Sequence, residues 1–194
     1  MNAMIVELFK VLSAIHPLSK NFKRALEREL LPLSLPKHHM LLEVPDISRY
    51  AYFLSSGFAM AFAFVHGKKV TEAFWTPGQI LVASSSFFEQ VPSAEYIQLM
   101  DKSELLCISY DSVQKLFSLY PEATHLYRII MNRQYGQSRM RVQDFRRLSA
   151  QERLEKLISI IPDIEQTIPQ ESIASYLGIT PQSLSRLKRK KGAS

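Results

Sequence analysis

The chain begins with two stretches in which apolar residues recur every three or four positions. The apolar residues are Ile5, Leu8, Phe9 and Leu12 in the first stretch, and Phe22, Leu26 and Leu30 in the second. This spacing is typical of short amphipathic helices, and Pro32 ends the second because proline cannot continue a helix. The N-terminal segment is therefore predicted to form two packing helices.

From about His38 to Ser109 the pattern changes to short runs rich in β-branched and aromatic residues, with turn signals such as Gly57 between them. The runs are HMLLEV, YAYFLSS, FAMAFAFV, VTEAFW, QILVASS, YIQLM and SELLCIS. Six or seven short strands with tight turns are typical of an antiparallel barrel or jelly roll. Together with the flanking helices, they predict an α+β fold.

A long helix is predicted after this segment. Asp111 begins a helical run, and Pro121 restarts it at a first-turn position where the missing N–H costs nothing. Spacings of four and three, typical of a helix pair, relate Ala123, Leu126, Ile130, Arg133, Gln137 and Met140. Because two of these residues are polar, two interpretations stay open: a seam between two copies of the chain, or a face packed on its own domain.

The last fifty residues are predicted to be helical and to form a small unit of their own. Ser149 and Glu152 have the spacing of a capping box, and an apolar face follows before Pro162. A further short helix is predicted from Pro169 to Leu177, with a turn at Gly178. The next helix then begins with Thr180 as N-cap and Pro181 in its first turn, and the small Ala174 lies where two helices cross. These offsets match a helix-turn-helix.

The outer face of the last helix carries side chains suited to nucleic acid. With Leu184 and Leu187 facing inward, the polar face includes Gln182 and Arg186, whose side chains can pair with adenine and guanine in the major groove. Lysines at the end of the helix can meet phosphates. The predicted DNA contacts are Thr180, Gln182, Ser183, Ser185, Arg186, Lys188, Arg189 and Lys190. The alternative is a helical hairpin whose charges are merely solvated.

Charge and composition narrow the picture. Residues 128–194 hold 13 lysine or arginine residues and 6 acidic residues, a net charge of +7, whereas the rest of the chain has a net charge of −1. The basic surface is therefore C-terminal. The single cysteine, Cys107, excludes a disulfide framework or a four-cysteine metal site within one chain. No apolar run is long enough to span a membrane, so a cytoplasmic protein is expected.

Three segments resemble the Crp/Fnr superfamily of transcription regulators: IASYLGITPQSLSRL, SELLCISYDSVQKLF and TPGQILVA. The resemblance implies a cyclic-nucleotide-binding-like β-barrel domain with N-terminal helices (1–120), a dimerisation helix (121–146) and a helix-turn-helix domain (147–194). It implies a homodimer that binds double-stranded DNA, with Gln182 and Arg186 at base-contacting positions and RNA polymerase as a candidate partner. It implies no catalysis. The alternative is a non-catalytic ligand-binding or protein-interaction module whose helical pair binds a protein.

The chain departs from the family pattern at the nucleotide cassette. Gly78 and Gln79 occupy the turn where binding members carry a glutamate, and Ser93 and Ala94 stand where the phosphate-binding arginine motif is expected. No arginine occurs between Arg49 and Arg128, so the cassette cannot pair bidentately with a phosphate. Cyclic nucleotide binding and a cofactor are therefore not expected. Two interpretations of the barrel stay open: an unidentified small-molecule effector bound against these four residues, or an interior filled by the barrel's own apolar side chains.

A second departure concerns the end of the sequence. The family resemblance implies a β-hairpin wing after the second helix, but only Gly192, Ala193 and Ser194 follow the basic run. The wing is therefore not expected, and the terminal lysines are expected to take over its phosphate contacts.

Overall fold

The computed structural model of the chain describes the backbone of residues 2–191 and the side chains of residues 2–189. The helices are α1 (Ala3–Ser13), α2 (Lys20–Glu29), α3 (Ser84–Glu89), α4 (Tyr110–Leu119), α5 (Pro121–Arg147), α6 (Ala150–Ile160), α7 (Ile164–Thr167), α8 (Gln170–Leu177) and α9 (Pro181–Lys191). The strands are β1 (Leu31–Leu35), β2 (Met40–Leu42), β3 (Tyr50–Ser56), β4 (Ala59–Val65), β5 (Lys68–Trp75), β6 (Gln79–Leu81), β7 (Tyr96–Leu99) and β8 (Ser103–Ser109). The chain is thus α+β, as predicted.

The two N-terminal helices form where the apolar spacing predicts them. The side-chain oxygens of Asn2 and Ser19 cap α1 and α2, accepting hydrogen bonds from the N–H groups of Met4 at 3.0 Å and Phe22 at 3.1 Å. Leu8 and Phe22 are buried in one apolar cluster with Leu106 of β8. Both helices therefore pack against the sheet.

The strands form two antiparallel four-stranded sheets, in the orders β1-β8-β3-β6 and β2-β7-β4-β5. The described strands do not close into one barrel, which corrects the barrel expected from the sequence. The additional strand β1 contains Pro32, and proline is tolerated there because β1 is an edge strand. The run QILVASS is a strand only as far as Leu81, since helix α3 begins at Ser84.

The space between the two sheets is filled by aliphatic side chains. Leu54, Leu81, Leu99 and Leu105 are fully buried in one cluster. Each such side chain stabilises the fold by about 1.5–3 kcal/mol relative to exposure. The centre of the sheet region is therefore a packed core, and any binding site must lie at its surface.

Helix α5 begins at Pro121, as predicted, and packs on its own chain with its first turns. Ala123 and Leu126 are buried against the N-terminal helices. The N-terminal part of the predicted dimer seam is therefore wrong, because these apolar residues already face the chain's own core. Further along α5, Tyr135 and Val142 are 65% and 52% exposed.

Helices α6 to α9, here called the C-terminal helical unit, surround an apolar centre. The predicted capping box is present: the Ser149 hydroxyl accepts from the N–H of Glu152, whose carboxylate accepts from the N–H of Ser149 at 2.7 Å. Leu184 of α9 is fully buried in the same apolar cluster as Phe58 and Met60 of the sheet region. The unit thus packs directly on the sheets. Within residues 2–191, no helix combines the length and apolar character needed to cross a membrane.

Candidate nucleic-acid interface

The turn between α8 and α9 depends on a glycine. Gly178 has a φ of +67°, and its N–H donates to the carbonyl of Ser175 at 3.0 Å. A Cβ atom at this position would lie 2.7 Å from Cε1 of Phe145, at the end of α5. Any other residue here would strain the backbone and would bring its Cβ atom too close to the Phe145 ring. Glycine therefore permits the tight turn from which α9 begins.

The start of α9 is capped as predicted. The Thr180 hydroxyl accepts from the N–H of Ser183 at 3.2 Å and donates to the Ser183 hydroxyl at 3.0 Å. Leu184, one turn on, is fully buried. Two of the predicted DNA contacts, Thr180 and Ser183, thus have hydroxyls that hold the first turn of the helix in place.

The outward side of α9 presents three exposed polar side chains, Gln182, Arg186 and Arg189, here called the reading face. They follow one another at spacings of four and three residues, so they project from one side of the helix. None of them makes a hydrogen bond or ion pair with a side chain or carbonyl of residues 2–189. Ser185, half-buried, lies beside them. The reading face is available to an external partner.

Lys188, one of the lysines predicted to contact DNA, is already paired within the chain. Lys188 is half-buried, and its Nζ lies 2.8 Å from Oε1 of Glu165 in α7. The ion pair ties α9 to the rest of the C-terminal helical unit. The side chain of Lys190 lies outside the described residues.

The helix pair is anchored to the sheet region through strand β5, an edge strand. The N–H of Thr71 donates to the Ser175 hydroxyl of α8 at 3.0 Å, and that hydroxyl lies 3.4 Å from the carbonyl of Lys69. Nearby, the rings of Phe74 and Tyr176 have centroids 4.8 Å apart. Helix α8 therefore covers a strand edge that would otherwise leave backbone groups unpaired.

Arg141 connects helix α5 to strand β5 and to helix α8. Its guanidinium donates to the carbonyls of Glu72, Thr71 at 3.3 Å and Tyr176 at 3.4 Å. The guanidinium carbon also lies 4.1 Å from the centroid of the Tyr176 ring. Burial lowers the pKa of Arg141 from its usual value. Strand β5, α5 and α8 thus share one cationic contact.

A cavity of about 740 Å³ lies beside this contact, between β5 and α5. Gly78 and Gln79 line it, whereas Ser93 and Ala94 do not. The Ser93 hydroxyl is buried and donates to the carbonyl of Glu95 at 2.8 Å. The side-chain oxygen of Gln79 accepts from the N–H of Thr76 at 2.9 Å, which leaves its amide NH₂ group as a donor.

Three further residues of the cavity were missed by sequence reasoning: Glu95, Arg133 and Arg141. The strand segment between Arg49 and Arg128 contains no arginine. The two arginines of the cavity come instead from α5, more than thirty residues after Glu95 in the sequence. Glu95 lies next to the expected arginine motif. Burial, and secondly repulsion by Glu72, raises the pKa of Glu95 to about 7.

No family model matches the chain, and no curated protein matches its sequence. Solved structures do match. The c-di-GMP responsive global regulator CLP of Xanthomonas campestris has 15% identity and a TM-score of 0.69, with 90% of this chain and 92% of that chain covered. FixK2 of Bradyrhizobium japonicum has 14% identity and a TM-score of 0.71, covering 84% and 85%.

A third similar structure comes from Eubacterium rectale and is described as a transcriptional regulator of the Crp/Fnr family. It has 15% identity and a TM-score of 0.71, and the alignment covers 91% of this chain and 84% of that one. The three alignments cover 84 to 91% of this chain. The chain therefore has a Crp/Fnr-type cyclic-nucleotide-binding fold.

Proposed function

We propose that the chain is a homodimeric, sequence-specific DNA-binding transcription regulator without catalytic activity, in which α8 and α9 form a helix-turn-helix. The observation that carries this proposal is the reading face: three polar side chains project from a helix whose opposite side is buried and whose start is capped. The likeness in fold to Crp/Fnr regulators supports it. The domain division proposed is 1–120, 121–146 and 147–194.

The polar residues at the start and along the length of α9 are proposed to have different roles. Gln182 and Arg186, in the first half of α9, are proposed to contact base edges, because recognition helices read the major groove with their N-terminal residues. Arg189 and Lys190 lie closer to the end and are proposed to meet phosphates, with Ser185 between the two groups. Thr180 and Ser183 position the helix start, and Lys188 has first to leave Glu165 before it can reach a phosphate.

The homodimer is proposed to form along α5, but not on the face that the sequence predicted. All members of a second stripe with spacings of four and three residues are exposed: Arg128, Asn132, Tyr135, Arg139, Val142 and Arg146. Tyr135 and Val142 give this stripe its apolar centre. A parallel pair of α5 helices would place two copies of α9 on one side, where they must lie about 34 Å apart to enter successive major grooves.

The cavity is proposed not to bind cyclic AMP. Arg141 is already engaged by three carbonyl oxygens, and the acidic Glu95 lines the same cavity. Placing a phosphate near that carboxylate would set two negative charges together at low dielectric. CLP responds to c-di-GMP, but the same repulsion opposes a cyclic dinucleotide here. A different small-molecule effector is therefore proposed for this cavity.

The test is selection of duplex fragments from a genomic pool at moderate salt. The wild type is expected to enrich palindromic sites, whereas Arg186→Ala is expected to lose about 1–3 kcal/mol of discrimination at one base position. Arg24→Ala, which removes an exposed arginine of α2, serves as the matched control and is expected to enrich the wild-type sites. A wild type that enriches no sequence, or an Arg186→Ala variant with unchanged preference, would overturn the proposal.

A further inference from the structure

The cavity between β5 and α5 contains an acid without a partner. The backbone of Glu95 is fixed, because its N–H donates to the Ser93 hydroxyl at 3.1 Å and its carbonyl accepts from the same group at 2.8 Å. The side chain lines the cavity, yet its carboxylate makes no hydrogen bond or ion pair with any described side chain or backbone group. The fold thus holds a half-buried carboxylate in place and leaves its charge unmatched.

The charged groups that face Glu95 do not neutralise it. Glu72 of β5 repels it, and this repulsion adds to burial in raising its pKa to about 7. Arg141 of α5 is occupied by three carbonyl oxygens, and the side chain of Arg133 is exposed. Tyr176 of α8 adds a ring to the cavity wall. An unmatched acid of this kind destabilises the folded chain, which is a feature typical of functional sites.

Three aromatic side chains also line the cavity, among aliphatic and polar ones. Phe74 and Trp75 of β5 line the cavity together with Tyr176. A cavity whose wall contains both a carboxylate and aromatic rings suits organic cations, because the acid pairs with the charge while the rings attract it through their faces. The cavity volume of about 740 Å³ also falls within the range typical of small-molecule sites.

We propose that this cavity binds a small organic cation, with an amine or amidine group on the Glu95 carboxylate and a flat apolar body against Trp75. Such a ligand supplies the missing positive charge without displacing Arg141. The proposal rests on the proposed function only in taking this cavity as the effector site of a regulator. The site itself stands on the geometry of Glu95 and its neighbours.

Ligand binding here is coupled to the position of α8. The cavity is lined by β5, by α5 and by Tyr176, which is the residue next to the Ser175 anchor. A cation bound between Glu95 and Tyr176 contacts both sides of the junction between the sheet region and the C-terminal helical unit. Its occupancy therefore biases the angle at which α9 is presented.

Calorimetric titration with three probes tests the site: tryptamine, agmatine and benzamidine. Indole-3-acetate is the matched probe for tryptamine, since it keeps the ring and replaces the amine with a carboxylate. At pH 7 we expect saturable binding of at least one cation, with indole-3-acetate at least about tenfold weaker, as expected for loss of a charged hydrogen bond. Binding should release protons, since a cation lowers the pKa of Glu95, and titrations in two buffers of different ionisation enthalpy measure that release.

Two variants complete the experiment. Glu95→Gln keeps the shape of the side chain and is expected to weaken the cation about 10- to 100-fold and abolish proton release. Glu43→Gln removes an exposed acid that does not line the cavity and is expected to keep both within about threefold. No saturable binding of any of the three cations, equal binding by wild type and Glu95→Gln, or tighter binding of indole-3-acetate would each overturn the proposal.

These titrations contain no DNA. Their failure therefore leaves the regulator proposal standing, and failure to enrich any DNA sequence leaves the cation site standing.

Discussion

The reading face and the cavity are built in opposite ways. The reading face arises from one continuous stretch: the cap at Thr180, the buried Leu184 and the exposed Arg186 all lie within seven residues of one helix. The cavity is lined by Glu95, which is the residue before β7, by Arg133 of α5 and by Tyr176 of α8. A site made by one helix follows from helical spacing alone, whereas a site shared by three elements exists only after they pack.

The two sites also differ in how they treat charge. The cations of the reading face are exposed, where a charge remains hydrated and costs little without a partner. The Glu95 carboxylate is partly removed from water and lacks a partner within the described residues. The first arrangement suits a polyanion that arrives from solution, and the second suits a small ligand that must enter the fold.

The largest effect is expected from truncating the residue that holds the reading face in position. Leu184→Ala should lower the free energy of unfolding by about 2–5 kcal/mol, because the side chain is fully buried and leaves a cavity. Since Leu184 shares its cluster with Phe58 and Met60, far-UV circular dichroism and the fluorescence of Trp75 should report one coincident transition.

Leu187→Ala is the matched control for this prediction. Leu187 is half-buried in the same helix, so its truncation should cost clearly less than that of Leu184. If the helical signal of Leu184→Ala melts well before the Trp75 signal, the C-terminal helical unit is energetically separate from the sheets.

A smaller effect, with the opposite sign, is expected in the cavity. The pKa of Glu95 is raised to about 7 in the folded chain, so the folded state holds its proton more tightly than the unfolded state, whose ordinary carboxyl pKa is lower. The resulting destabilisation is absent below pH 4, grows between pH 4 and 7, and is complete above pH 7. Glu95→Gln should therefore stabilise the chain above pH 7 by up to about 3 kcal/mol.

Thermal unfolding at pH 4 and pH 8 measures this difference. The midpoint of Glu95→Gln should exceed that of the wild type at pH 8 by several degrees, at about 2–4 °C per kcal/mol, and the two should agree at pH 4. Glu72→Gln, at an exposed position, should shift the midpoint much less. Equal midpoints at pH 8 would show that the Glu95 charge is already compensated.

The features predicted correctly from the sequence are those that depend on nearby residues. The caps at Ser149 and Thr180, the left-handed Gly178 and the proline start of α5 are present as predicted, because each depends on neighbours within one turn. Strand β1 was missed because Pro32 is read as a breaker, and only its place at a sheet edge makes it acceptable.

The role of the α5 stripe stayed open in the sequence for a related reason. Helical spacing identifies a stripe but not what the stripe packs against, so Ala123 and Leu126 could equally serve a second copy or the chain itself. The cavity could not be predicted from the sequence. Neither the burial of Glu95 nor its distance from an arginine can be derived from the order of residues, since both depend on how β5 and α5 meet.

The smallest effect is expected at the contact that joins the two regions. Ser175→Ala removes the acceptor of the Thr71 N–H, and an unpaired amide at a partly buried strand edge should cost about 1–3 kcal/mol, at the lower end if water replaces the hydroxyl. Hydrogen exchange of the Thr71 amide should quicken more than that of other β5 amides. Ser159→Ala is the matched control, because the Ser159 hydroxyl bonds only within its own helix, to the carbonyl of Lys156. Unchanged Thr71 exchange in Ser175→Ala would mean that α8 is held on the sheet by the Arg141 contact and by the rings of Phe74 and Tyr176. In that case the cavity would act on the reading face through Tyr176 and not through the backbone of β5.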